Sequence, residues 1–197
     1  MSLLAQIKEI QSLVGAEADG IFGPNTARKV IGALQTESPP VGAVLDNRTK
    51  RNLSTLEPKA QDKFRKFIFH AKSIAASLGV DYVAISGTRG KEEQNALYAK
   101  GRTAPGDKVT NARYGYSNHN FGIALDFGVF AGRKYLDSSD PGWAAGVHRA
   151  VAGVADQYGL EWGGDWKTFK DYPHFEIKTK LNTAEKRARL HAGESIL

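Results

Sequence analysis

Two short segments carry the residue types that hydrolytic metal chemistry needs. In SNHNFGIALD, Ser117 to Asp126, a His stands just ahead of an apolar run that contains an Asp. Side chains of a strand alternate between faces with a period of two. Ile123, Leu125 and Phe127 then point one way, and Gly122, Ala124 and Asp126 the other. One face is bulky and apolar; the opposite face is bare until it reaches a carboxylate. In DYPHFEI, residues 171–177, Phe175 and Ile177 face the core while His174 and Glu176 face away, with Asp171 one turn upstream. Two separate strands thus offer an open face with a His. Two imidazoles, one carboxylate and an open fourth position make a catalytic zinc site, in which the ion lowers the pKa of a water toward neutrality. A further carboxylate beside the ion can take that water's proton. No HExxH is present to hold such ligands on one helix. Spacing alone therefore leaves the plainer reading open: two strands with one solvated face each and incidental histidines.

Composition narrows the chemistry. The 197-residue chain has no cysteine, so disulfides and thiolate metal sites are excluded and any metal rests on His, Asp or Glu. Hydrophobic content of 41% and charged content of 24% suit a globular protein. The length suits one ordinary domain plus a small module. Residues 1–41 hold three basic and four acidic residues, so the remainder carries more than the whole formal charge of +6. That balance suits an anionic partner such as nucleic acid, a membrane surface or cell-wall polymer, without choosing among them. No 18-residue apolar run is long enough to span a bilayer. The N-terminus, MSLLAQIKEIQSLVG, mixes charges into its apolar residues and does not read as a signal peptide.

The elements that must position these residues follow from periodicity. Leu3, Leu4, Ile7, Ile10, Leu13 and Val14 have helical spacing. Asp19-Gly20 marks a tight turn, and Gly23-Pro24 opens a second helix with Ala27, Val30, Ile31 and Leu34 on its apolar face. QTESPPVG is a linker by composition. The expected domains are a helical module over 1–36, a linker over 37–42 and a main domain over 43–197. In the main domain a short helix, a turn at Glu57-Pro58 and a long helix ending at Gly79 come first, with Phe64, Phe67, Ile68, Ala71, Ile74, Ala75 and Leu78 as the buried stripe. His70 within that stripe reads as structural. A strand with Val83 and Ile85 on one face follows, then a helix closed by Gly101, a polar loop over 102–116, strands at 122–130 and 174–178, and a helix between Trp143 and Tyr158. A cationic helix closes the chain. Strands and helices do not alternate as βαβ units, so the class is α+β with a small antiparallel sheet flanked by helices, preceded by a small all-α module.

The motifs carry two resemblances. The D-G-x-F-G-x-x-T spacing of Asp19, Gly20, Phe22, Gly23 and Thr26 resembles the peptidoglycan-binding module of many cell-wall hydrolases. The segment from SGTRGKEEQ to FGIALDF, followed by EWGGDWKTFKDYPHFEI, resembles the M15 family of zinc peptidases, the D-alanyl-D-alanine carboxypeptidase and VanX/VanY group. Within it the chain is similar to the L-alanyl-D-glutamate endopeptidases found as phage endolysins. The S-x-H-x6-D and D-x-x-H segments stand in the right order, about fifty residues apart. The resemblance implies a hedgehog/DD-peptidase-like zinc domain with one zinc ion on His119, Asp126 and His174. It implies Asp171 as general base, with Glu176 as the rival, ranked second because a place inside the strand restricts its reach. It implies Arg89 at the scissile carbonyl or on a substrate carboxylate, where a permanently charged guanidinium suits an oxyanion. It implies Ser117 in contact with substrate. Gly90 departs from the Ser or Thr expected after SGTR.

The implied function is cleavage of the L-alanyl-D-glutamate amide of the peptidoglycan stem peptide by zinc-activated water. The implied partner is peptidoglycan, with no nucleic acid, no stable membrane association and a monomeric state. The implied location is a phage host's cytoplasm before lysis and then the cell wall. A D-alanyl-D-alanine carboxypeptidase uses the same residues and cuts elsewhere. A noncatalytic, metal-containing wall-binding protein would not need Asp171 and Arg89. A basic nucleic-acid-binding protein lacks a reading motif here. Trp162 to Trp166 reads as packing that shapes the cleft, or as a sugar-stacking patch. His148 and His191 lie on predicted helices away from the motifs, as surface or structural residues.

Overall fold

The computed structural model describes residues 2–13, 16–21, 26 and 44–197. The chain divides into two units, Met1–Ala43 and Val44–Leu197. In the first unit, α1 (Leu3–Leu13) carries Gln11, which is buried. Its Nε2 donates to Asp19 Oδ1 at 2.6 Å and to Thr26 Oγ1 at 3.0 Å, and its Oε1 accepts from Gly20 N at 2.8 Å. Asp19 Oδ1 also accepts from Ile21 N. The polar groups of Asp19, Gly20 and Thr26 are thus tied to one buried amide, which the motif did not reveal. Phe22 and Gly23, the expected second helix and the linker over 37–42 lie outside the described residues.

In the second unit, Asp46 starts α2 (Asn47–Ser54) by accepting Thr49 N at 2.8 Å and Thr49 Oγ1 at 2.7 Å. Pro58 at the first turn opens the 20-residue α3 (Pro58–Ser77). Phe64, Phe67 and Ile68 on its inner stripe are fully buried. Each such side chain contributes on the order of 1.5–3 kcal/mol. They pack beneath an antiparallel sheet of β1 (Asp81–Ser86), β2 (Ala124–Ala131), β3 (Lys134–Tyr135), β4 (Leu160–Trp162) and β5 (His174–Ile177). The strand order is β1-β2-β5-β4, with β3 paired to β2. The Phe67 ring meets those of Phe127 and Phe175 at 5.8 and 5.0 Å, which locks the helix to the two central strands. The remaining helices are α4 (Lys91–Ala99), α5 (Leu136–Ser139), α6 (Pro141–Ala152) and α7 (Thr183–Ala192). The fold is the expected α+β class.

Val83 and Ile85 share one face of β1, as expected, and the core face is the other, with Tyr82 and Ala84 opposite Val129 and Phe127. Two details differ from the sequence expectation. Strands β3 and β4 have two and three residues, too few for a period-2 signal. All four residues of β5 are buried, although His174 and Glu176 still line a cleft. Helix α7 packs near the segment Asn118–Phe121, where its buried Lys186 donates to Asn118 Oδ1 at 2.9 Å.

Candidate metal centre

Sheet register assembles the site. Asp126 on β2 pairs with His174 on β5 and with Ser86 on β1, so the three form one row across the sheet. Directly opposed residues place their Cβ atoms about 4.5–5.5 Å apart on the same face. A bulge between Ala84 and Ser86 brings Ser86, rather than Ile85, into that row. His119 arrives from a 3-10 turn, Asn118–Phe121, just before β2. Asn120 holds this turn: its Oδ1 accepts Gly115 N and Ser117 N, and its Nδ2 donates to Arg89 O at 3.0 Å. Gly122 closes the turn with φ +68, and a Cβ there would meet Glu57 N at 3.0 Å. Only glycine satisfies both conditions at low cost.

Three atoms converge. His119 Nε2 lies 3.0 Å from Asp126 Oδ1 and 3.2 Å from His174 Nδ1, and His174 Nδ1 lies 3.0 Å from the same Asp126 oxygen. The outer nitrogens fix which atoms these are. His119 Nδ1 lies 2.7 Å from Gly87 O, and His174 Nε2 lies 2.8 Å from Glu176 Oε2. A carbonyl and a carboxylate only accept, so both outer nitrogens carry the hydrogen. In the neutral rings two lone pairs and a carboxylate oxygen then aim at one point. Ligands at about 2.0–2.1 Å around a tetrahedral zinc stand roughly 3.3 Å from one another. The observed triangle therefore fits a small divalent cation, and nitrogen and oxygen donors suit zinc and its transition-metal neighbours.

The electrostatics agree. Burial pushes the Asp126 carboxyl up, but the two imidazoles outweigh it and hold it well below the usual carboxylate range. Burial pushes His174 down, yet its hydrogen bonds to Asp126 and Glu176 draw it up to about 10. The centre attracts positive charge. Arg89 Nη2 donates to the second Asp126 oxygen at 2.5 Å, and its Nε donates to Ser86 Oγ at 3.1 Å. This clamp turns Oδ1 toward the two histidines.

The three atoms form the floor of a cleft of about 460 Å³. Asp171, Arg89 and Ser117 line it beside His119, Asp126 and His174. Burial, then the charge of Asp126, raises the Asp171 carboxyl above its usual value. The three expected metal ligands, the expected base Asp171, Arg89 and Ser117 thus all line one cleft. Glu176 is placed differently from the rival base weighed above: it is buried and bonded to the far side of His174. The cue was its i+2 spacing from His174, which puts both on one face. Trp166 lines the cleft with its ring 5.0 Å from that of His174, while Trp162 is buried with Nε1 on Tyr172 O. His148 is fully buried between Tyr82 OH and Asp137 Oδ1, each at 2.7 Å, and His191 is exposed. His70 bonds Tyr158 OH at 3.1 Å, a structural place. Gly90 is the N-cap of α4 and offers no side-chain cap.

Residues 110–177 match the family model Peptidase_M15_4, described as D-alanyl-D-alanine carboxypeptidase. The matched range contains His119, Asp126, Asp171 and His174. The peptidoglycan L-alanyl-D-glutamate endopeptidase CwlK of Bacillus subtilis (strain 168) is 43% identical over 112 residues, covering 54% of this chain and 66% of that protein. The L-alanyl-D-glutamate peptidase of Listeria phage A118 is 30% identical over 139 residues, covering 68% of this chain and 42% of that protein. Among solved structures, the Serratia marcescens L-Ala D-Glu endopeptidase ChiX aligns with a TM-score of 0.45 and 24% identity, over 71% of this chain and 93% of that one. The chain thus spans 66% and 42% of the length of these two curated relatives.

Proposed function

We propose that this chain is an M15-family peptidase, a zinc-dependent peptidoglycan hydrolase that cleaves the L-alanyl-D-glutamate amide of the stem peptide. The observation that carries the reading is the convergence of His119 Nε2, Asp126 Oδ1 and His174 Nδ1 on the floor of a cleft that also holds the uncommitted carboxylate of Asp171. His119, Asp126 and His174 would hold the zinc, which would supply Lewis-acid chemistry for activating water and polarising the scissile carbonyl. Asp171 takes the proton of the attacking water and returns it to the leaving amine. Its raised affinity for a proton, from burial and the nearby Asp126 charge, suits that exchange. Arg89 has three of its five donors engaged, by Asp126, Ser86 and Gln94, which leaves N–H groups for the carbonyl oxygen as charge develops there. Ser117 contacts the substrate backbone from the cleft wall.

In this reading residues 1–36 hold the wall, through the motif of Asp19, Gly20, Phe22, Gly23 and Thr26, and 37–42 join them to the peptidase domain over 43–197. The enzyme acts as a monomer on peptidoglycan, without a nucleic-acid partner or stable membrane attachment, after release from a phage host's cytoplasm to the cell wall. Among the described residues no helix is long and apolar enough to cross a membrane. A second reading, D-alanyl-D-alanine carboxypeptidase, is favoured by the description of the matching family model and uses the same residues.

One digest separates them. Purified peptidoglycan is treated with zinc-loaded protein and with Asp171→Ala, and new termini are identified by mass spectrometry. The expected products are L-alanine carboxyl and D-glutamate amino ends, formed by the unsubstituted chain alone. Released D-alanine would move the assignment to the carboxypeptidase. Absence of any new terminus would end the hydrolase reading.

A further inference from the structure

The two histidines of the metal centre are backed differently. His119 gives its outer N–H to a neutral carbonyl, Gly87 O at 2.7 Å. His174 gives its outer N–H to a carboxylate, Glu176 Oε2 at 2.8 Å, and both side chains are buried. A carboxylate behind an imidazole fixes the tautomer and makes the inner nitrogen a stronger ligand. Glu176 is itself built in. Register places it between Ala124 and Glu161 on the neighbouring strands. The Glu161 carboxyl faces it, and Asn118, which accepts Lys186 Nζ at 2.9 Å, stands beside it.

We infer that Glu176 is a positioning residue for the metal centre, holding His174 in the Nε2–H tautomer so that Nδ1 faces the ion. The inference rests on the zinc reading above and deepens it. It also gives Glu176 a task other than that of the base: although it lines the cleft, its Oε2 is engaged by the outer nitrogen of His174, which leaves Asp171 for the base. The arrangement joins α7 to the site, since Lys186 reaches Asn118, the residue before His119.

Zinc affinity of the full-length chain tests this without recourse to activity. Binding is measured by competition with a chromophoric chelator for the unsubstituted protein, Glu176→Gln and Glu176→Ala. Nitrogen-15 spectra of labelled histidine report the His174 tautomer in each zinc-loaded protein. The unsubstituted chain should bind one zinc with His174 as the Nε2–H form. Loss of the carboxylate should weaken binding about 10–100-fold, with Gln at the smaller end, and should shift or broaden the His174 N–H signal. The Gln variant keeps shape and hydrogen-bonding capacity, so a reading remains if the Ala variant does not fold. Equal affinity and an unchanged tautomer in Glu176→Gln would overturn the inference and leave the zinc site standing. No zinc binding by the unsubstituted chain would overturn the reading beneath it as well.

Discussion

Gly163→Ala tests whether the backbone around Asp171 holds its carboxylate where the proposed reaction needs it. A Cβ on Gly163 would lie 2.6 Å from Asp171 O, 3.1 Å from Asp171 Cβ and 3.1 Å from His174 Cβ. The first partner is backbone and cannot rotate away. Gly163 O also accepts the N–H groups of Trp166 and Asp171, so the two segments are stapled where the clash would arise. Restoring ordinary contact, 3.4 Å or more, requires the Asp171–His174 segment to move by about 0.8 Å. A displacement near 1 Å in an active site costs as much as about 10²-fold in rate. Overpacking of this kind costs about 1–3 kcal/mol in stability, a Tm fall of roughly 2–12 °C for a chain of this size. The assays are thermal unfolding and the rate of peptidoglycan hydrolysis. The expected outcome is a rate reduced about 10–100-fold in a protein that still folds. Gly146→Ala is the control: it is exposed on α6 with nothing near a new Cβ, and should stabilise by about 0.5–1 kcal/mol with unchanged rate. Full activity and an unchanged Tm in Gly163→Ala would refute the claim that this contact positions Asp171.

The Asp46 cap gives a pH prediction. Burial pushes its carboxyl up, but Thr49 and Lys72 outweigh this and hold it below its ordinary value of 3.8. Its contribution is therefore present at neutral pH, down to that ordinary value, and is lost as pH falls through the lower folded value. Asp46→Ala should cost about 1 kcal/mol at pH 7 and nothing in strong acid, read by denaturant unfolding at both pH values. Arg89→Lys keeps the charge but cannot bridge Asp126 and Ser86 together; zinc affinity or hydrolysis should fall about 10–100-fold, and wild-type values for both would remove Arg89 from the clamp.

Period-2 alternation in the sequence determined which residues share a face: Asp126 against Leu125 and Phe127, His174 and Glu176 against Phe175 and Ile177. The absence of cysteine restricted any metal to nitrogen and oxygen donors. The apolar stripe of α3 marked the core, and the turn at Glu57-Pro58 that opens α3 was visible because such breaks are local, whereas the Asp46 cap was not read. Alternation says nothing about which residue stands opposite which. Tertiary structure decided the Ser86–Asp126–His174 row, through strand pairing and one bulge in β1. It decided that Glu176 backs His174, since a shared face does not say which ring nitrogen a neighbouring carboxylate meets. It decided that His148 joins a buried pair with Tyr82 and Asp137 while His119 and His174 converge. Local spacing selects faces and caps, since it acts within a few residues. A metal centre needs atoms about 3 Å apart from residues 55 positions away in the chain, and only the packed sheet supplies that distance.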